Sequence, residues 1–244
     1  MKSKLLLIFP LIITGMHAQL KPLTYNDGSQ KLQGLITANV QKNQSAVLIL
    51  PAWMGIDDEA KQAALDLEKQ GYAAFIADIY GEGNLPTNAK EAAAIATFYK
   101  TDYQAYQHRI KLALEALIAT GVNRDKIAVI GYCFGGTGAL EAARAPLHVS
   151  GVVCIHGGLA KDAKRSNGPI ATKVLVEHPA ADASVSAADL NQLLEEMNQG
   201  KADWQLITYA QAKHTFTNPK SADYNEVMAK RAWQHTLLFL KEIL

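Results

Sequence analysis

The run "IAVIGYCFGG", residues 127–136, decides how this chain is read. Five apolar or small residues lead into Tyr132, then Cys133 sits between Gly131 and the pair Gly135-Gly136. A continuous rather than alternating apolar run marks a strand buried on both faces, which is the habit of parallel sheets. The glycines beyond it predict a sharp turn into a helix beginning near Gly135, because they leave room where strand and helix pass closely. Free cysteine is ordinarily a small buried hydrophobe. The surrounding pattern instead expects Cys133 at an exposed strand end, where open α/β sheets carry their functional groups.

The neighbouring sequence repeats the strand signature at 46–53, 73–80, 149–157 and 172–179, with a more ambiguous version at 203–210. Helices with readable ends lie between. Asp57 or Asp58 caps one running to Gln70, with Gly71 at its end. A second spans about 102–120 with Ile110, Ala113, Leu114 and Leu117 in one stripe, a third starts at Ser186 and closes at Gly200, and the last runs from about 223 to 243. Strands alternating with helices predict a doubly wound, mostly parallel sheet with helices on both faces. Residues 29–40 read as an antiparallel strand at one edge. The expectation is one α/β domain over 19–244.

Residues 1–18 are set apart. Lys2 and Lys4 precede an apolar stretch from Leu5 to Ile13, followed by small and polar residues, as in a secretory signal peptide cleaved after Ala18. The stretch is too short for a permanent membrane span and contains Pro10. The expectation is export, to a periplasm or the medium. Losing both lysines leaves 22 basic against 23 acidic residues, from 24 and 23 in the full chain. Without a basic run, nucleic acid is not an expected partner. Export permits disulfides, and Cys133 and Cys154 are the only two cysteines. The demanding geometry of a disulfide opposes a bridge between neighbouring parallel strands.

The Gly-x-Cys-x-Gly spacing matches a nucleophile elbow with cysteine in place of serine. Such a turn aims the backbone N–H of Phe134 at a reacting carbonyl as an oxyanion donor, and the N-terminus of the next helix favours a thiolate. The elbow requires an acid and then a histidine later in the chain. Asp182, after the strand at 172–179, and His214, after the strand at 203–210, stand in that order. Asp182 also reads as a simple turn residue, and Glu177 is an alternative acid, although it falls within the strand. His156 and His178 are rival bases that precede the last strand. The cysteines and histidines show neither C-x-x-C pairs nor H-E-x-x-H, so no metal or cofactor is expected.

Taken together, "LILPAWMGIDD", "AAFIADIYGEG", "KIAVIGYCFGG", "VCIHGGL" and "AKHTFTNP" resemble the dienelactone hydrolase family of α/β-hydrolases, from about Tyr25 to Leu244. The resemblance implies metal-free hydrolysis of a small carboxylic ester or lactone, with Cys133 as nucleophile, Asp182 as acid and His214 as base. It also implies a second oxyanion N–H, from Trp53. One departure stands out. Ala52 occupies the position before Trp53 where the family carries a glutamate that helps to control the cysteine's protonation. Around "YGEGN" there is Glu82 and no arginine for a carboxylate clamp, while Arg109 reads as a surface or structural residue on its helix. Two other classes stay open: a binding protein that kept the fold and lost efficient turnover, and a thiol-based redox protein using Cys133 with Cys154.

Overall fold

The computed structural model describes residues 19–244, so the expected leader at 1–18 lies outside the described residues. Eight strands form one sheet: β1 (Leu20–Asp27), β2 (Gln30–Thr37), β3 (Ala46–Leu50), β4 (Ala73–Ile76), β5 (Ile127–Tyr132), β6 (Gly151–Ile155), β7 (Lys173–Pro179) and β8 (Trp204–Tyr209). The helices are α1 (Asp58–Lys69), α2 (Ala89–Thr101), α3 (Tyr103–Ala119), α4 (Phe134–Arg144), α5 (Ala187–Gln199) and α6 (Glu226–Ile243). The strand order is β1-β2-β4-β3-β5-β6-β7-β8. From β4 to β8 every pairing is parallel, whereas β1–β2 and β2–β4 are antiparallel.

Strands β3, β4, β5 and β6 are buried at every residue. This is what their continuous apolar sequences require in a sheet covered on both faces. One layer packs α3, α4, α5 and Tyr99 of α2 against residues such as Leu48, Val129 and Val176. The opposite layer packs α1 and α6 against Val47, Ile130, Val153 and Leu175. Successive residues of a strand face opposite layers, so Glu177 shares the α1/α6 side with Leu175.

The helix starts follow from their caps. The side chains of Asp57, Asp102 and Ser186 accept from Ala60, Ala105 and Asp189 N–H, and Ser186 with Asp189 completes a capping box. Two elements differ from the sequence expectation. Strand β1 takes the outer edge, so the 29–40 stretch is an inner antiparallel strand. Helix α2 fills a segment where no helix is expected from the sequence, since only Ala92, Ala96 and Tyr99 of it are buried. Arg109 is structural. Its Nε pairs with Asp27 Oδ2 at 2.9 Å, and Nη1 donates to Ile79 O at 3.2 Å, tying α3 to the end of β1.

Candidate active site

Cys133 stands at the N-cap of α4 with φ 54° and ψ −112°, a left-handed conformation that costs a non-glycine residue about 1–3 kcal/mol. Its surroundings hold it there. The Cys133 N–H is shared between Ile155 O and His156 Nδ1, each at 3.1 Å. The flanking glycines are sterically obligatory. A Cβ on Gly131 would lie 1.9 Å from Gly135 O, and one on Gly135 would lie 2.0 Å from Leu50 O. Phe134, the first residue of α4, is clamped from behind. Tyr106 stacks on its ring at 4.6 Å between centroids, and the Tyr106 hydroxyl donates to Phe134 O at 3.0 Å.

The three residues expected from chain order meet at this turn. His214 Nε2 lies 3.1 Å from Cys133 Sγ, and His214 Nδ1 lies 2.8 Å from Asp182 Oδ2. Asp182 has the geometry of both readings the sequence leaves open: beside its contact with His214, its Oδ1 accepts from Ser184 N (2.9 Å) and Ser184 Oγ (2.6 Å) as a turn residue. The Asp182 side chain is fully buried. Burial raises its pKa, but hydrogen bonds from His214 and Ser184 outweigh this and hold the carboxyl down at about 2. The hydrogen bond to Asp182, reinforced by Cys133, outweighs burial and lifts His214 to about 10. An imidazolium at that distance is the partner a cysteine nucleophile uses.

Glu177 is not part of this group. It is wholly buried on the α6 side, where Oε1 accepts from Thr236 Oγ1 at 3.1 Å. Cys133 and Cys154 are both free thiols. Cys154 is fully buried, and that burial pushes its thiol up to about 12. Trp53 lies in the loop after β3, partly exposed, with its carbonyl accepting from Tyr80 Oη at 2.8 Å. Tyr80 N–H and Gly81 N–H donate to Asp78 Oδ1. The Asp78 backbone in turn exchanges two hydrogen bonds with Tyr25 Oη, at 2.6 and 3.0 Å. Ala52 lines a small recess of about 100 Å³ with Gln33, Met54, Asp78, Tyr80 and Phe134. Glu82 pairs with Lys31 at 3.1 Å on the surface.

The sequence offers His156 only as a rival base, and the structure gives it a different position. It is buried beneath the turn with φ 40°, its ring 5.4 Å from that of His214. Burial, with His214 nearby, drives its pKa down to about 3. Neutral and accepting at Nδ1, it donates from Nε2 to Thr217 Oγ1 at 2.8 Å, and Thr217 donates to Glu59 Oε1 at 2.6 Å. It follows directly on Ile155, which pairs in register with Tyr132, and that register brings it under Cys133.

A mostly parallel sheet with helices on both faces, and a strand-to-helix elbow at the carboxyl end of β5, defines an α/β-hydrolase. Within that class, the dienelactone hydrolase family model matches residues 32–244, and the chain belongs to the dienelactone hydrolase family of ester and lactone hydrolases. It is 28% identical over 229 residues to a Bradyrhizobium protein named "Probable 2-oxo-3-(5-oxofuran-2-ylidene)propanoate lactonase", covering 88% of this chain and 90% of that one. A solved dienelactone hydrolase-like promiscuous phosphotriesterase from metagenomic libraries is 29% identical, with a TM-score of 0.87 over 93% of this chain and 99% of its own. The dienelactone hydrolase of Anabaena variabilis shares the fold at 19% identity, with a TM-score of 0.66 over 92% and 98% of the two chains. No helix among the described residues is long and apolar enough to cross a membrane.

Proposed function

We propose that the chain is an exported cysteine hydrolase that cleaves a small carboxylic ester or lactone through an acyl-enzyme. The observation that carries this is the 3.1 Å approach of His214 Nε2 to Cys133 Sγ at a strained elbow, with Asp182 behind the histidine. Cys133 Sγ attacks the carbonyl carbon, and the electron pair moves to oxygen, which the Phe134 and Trp53 N–H groups receive. Collapse of the tetrahedral species expels the alkoxide, which takes a proton from His214. For a lactone, this leaving group stays tethered to the acyl chain. His214 then removes a proton from water, hydroxide attacks the thioester, and the acid departs as the proton returns toward the thiol–imidazole pair. Asp182 keeps Nδ1 protonated and the ring aligned throughout.

The test is a panel of p-nitrophenyl esters and lactones assayed before and after iodoacetamide. Alkylation should fall on Cys133 far faster than on Cys154 and should abolish turnover in step. Equal, slow labelling of both would instead favour the reading that Ala52 suggests, a binding protein without efficient turnover. Export rests on the leader. A mature chain starting at Gln19 in the periplasmic or culture fraction is expected by mass spectrometry, and an intact Met1 start in the exported fraction would refute cleavage.

A further inference from the structure

On the α1/α6 side of the sheet, a cavity of about 540 Å³ opens between these helices and the loop that follows His214. Cys133, Asp182 and His214 do not line it. Its volume falls in the range of small-molecule sites, roughly 300–1,000 Å³. Tyr132, Ile155 and Trp233 give it an apolar wall, and two acids, Glu59 and Glu177, line the same space.

The acids are what the fold leaves unexplained. Glu177 is 0% exposed, and its Oε2 has no hydrogen-bond partner among the described residues. Thr236 Oγ1 donates to Oε1, and Tyr209 Oη faces the same carboxyl while making its 2.8 Å hydrogen bond to His235 Nδ1, so Oε2 is left over. A buried acceptor left without a donor costs free energy that a methionine would avoid. Glu59 accepts from Thr217 through Oε1 only. The cations at the rim are already paired, Lys220 with Asp58 and Lys230 with Glu226, so none serves the inner acids. Burial without a counter-charge pushes Glu59 up to about 7 and Glu177 well above the carboxylate range, so an entering cation takes the place of a carboxyl proton, which leaves to solvent.

Free acid oxygens set in an apolar wall complement an N–H donor carried on a hydrocarbon body. We infer that this cavity is a second ligand site, which takes a small organic ammonium ion. Its N–H groups bond Glu177 and Glu59, and its hydrocarbon lies against Trp233, Tyr132 and Ile155. The site meets the hydrolytic turn through the Glu59–Thr217–His156 hydrogen bonds, and its occupancy does not depend on Cys133 being nucleophilic.

Titration calorimetry of the whole mature protein with hexylamine tests this, using hexan-1-ol and hexanoate as isosteric controls. Saturable one-to-one binding of hexylamine is expected, at least about tenfold tighter than either control, corresponding to 1.4 kcal/mol. Glu177→Gln and, separately, Glu59→Gln should each weaken it about tenfold, whereas iodoacetamide-alkylated protein should bind as before. Two acid variants are used so that a folding defect in one leaves the other decisive. No binding, equal binding of the alcohol, unchanged affinity in a folded variant, or loss of binding on alkylation of Cys133 would each overturn the assignment.

Discussion

Cys133→Ala is expected to lower kcat/KM on whichever ester or lactone the wild type turns over by about 10⁴-fold or more, the scale seen when a hydrolase nucleophile is deleted. The size follows from the lack of a substitute. Cys154 is the other thiol in the chain, and it is fully buried with its ionisation pushed up to about 12. Ser184 Oγ is held on Asp182 at 2.6 Å, on the far side of the histidine from Sγ. What survives is the elbow itself, with its backbone donors and His214, which can orient water but cannot form a thioester. The variant should fold normally, because alanine removes one sulfur from a partly exposed position. Turnover within about threefold of wild type, measured on folded protein, would remove Cys133 from the mechanism.

Gly135→Ala has the largest expected effect on stability. The added methyl would stand 2.0 Å from Leu50 O, a backbone atom of β3 with no rotamer to change. Gly131→Ala meets Gly135 O at 1.9 Å, the same turn from its other side. Overpacking of this kind forces backbone displacement, and about 3 kcal/mol or more of destabilisation is expected. For a domain of this size that corresponds to a fall in Tm of roughly 6–12 °C. Gly168→Ala is the matched control, since nothing lies within 4 Å of its added methyl. A Gly135→Ala protein that melts with the Gly168→Ala control would show that the elbow is not as tightly packed as described.

Much of this architecture is legible in the sequence because it rests on local signals. Continuous apolar runs reveal β3 to β7, the Ile110–Leu117 stripe reveals α3, and Asp57 or Asp58 and Ser186 announce α1 and α5 through cap chemistry that acts within three residues. The order Cys133, Asp182, His214 is equally local, since each follows a strand that can be recognised by itself. Helix α2 is not legible, because Ala92, Ala96 and Tyr99 are too few and too small to make an apolar stripe stand out among alanines. Strand β1 is missed for a related reason: only Tyr25 of its eight residues is buried. His156 shows the deeper limit. Its role depends on β6 lying beside β5, a pairing of residues 23 apart that no periodicity encodes. Glu177 is the converse case, since its strand position argues against a role beside His214, and the sheet's alternation turns it toward α6.

The hydrogen bonds between Tyr25 and Asp78 carry a consequence for where this protein begins. The family match starts at Leu32, so β1 falls outside it. Yet Tyr25 grips the Asp78 backbone, Asp78 fixes the N–H groups of Tyr80 and Gly81, and the Tyr80 hydroxyl holds the carbonyl of Trp53. A chain trimmed to the start of that family match would keep Cys133, Asp182 and His214 and lose the first link of that brace. The N-terminal hairpin is a scaffold for the Trp53 loop after β3, and deletions there should be judged by turnover before they are judged by melting temperature.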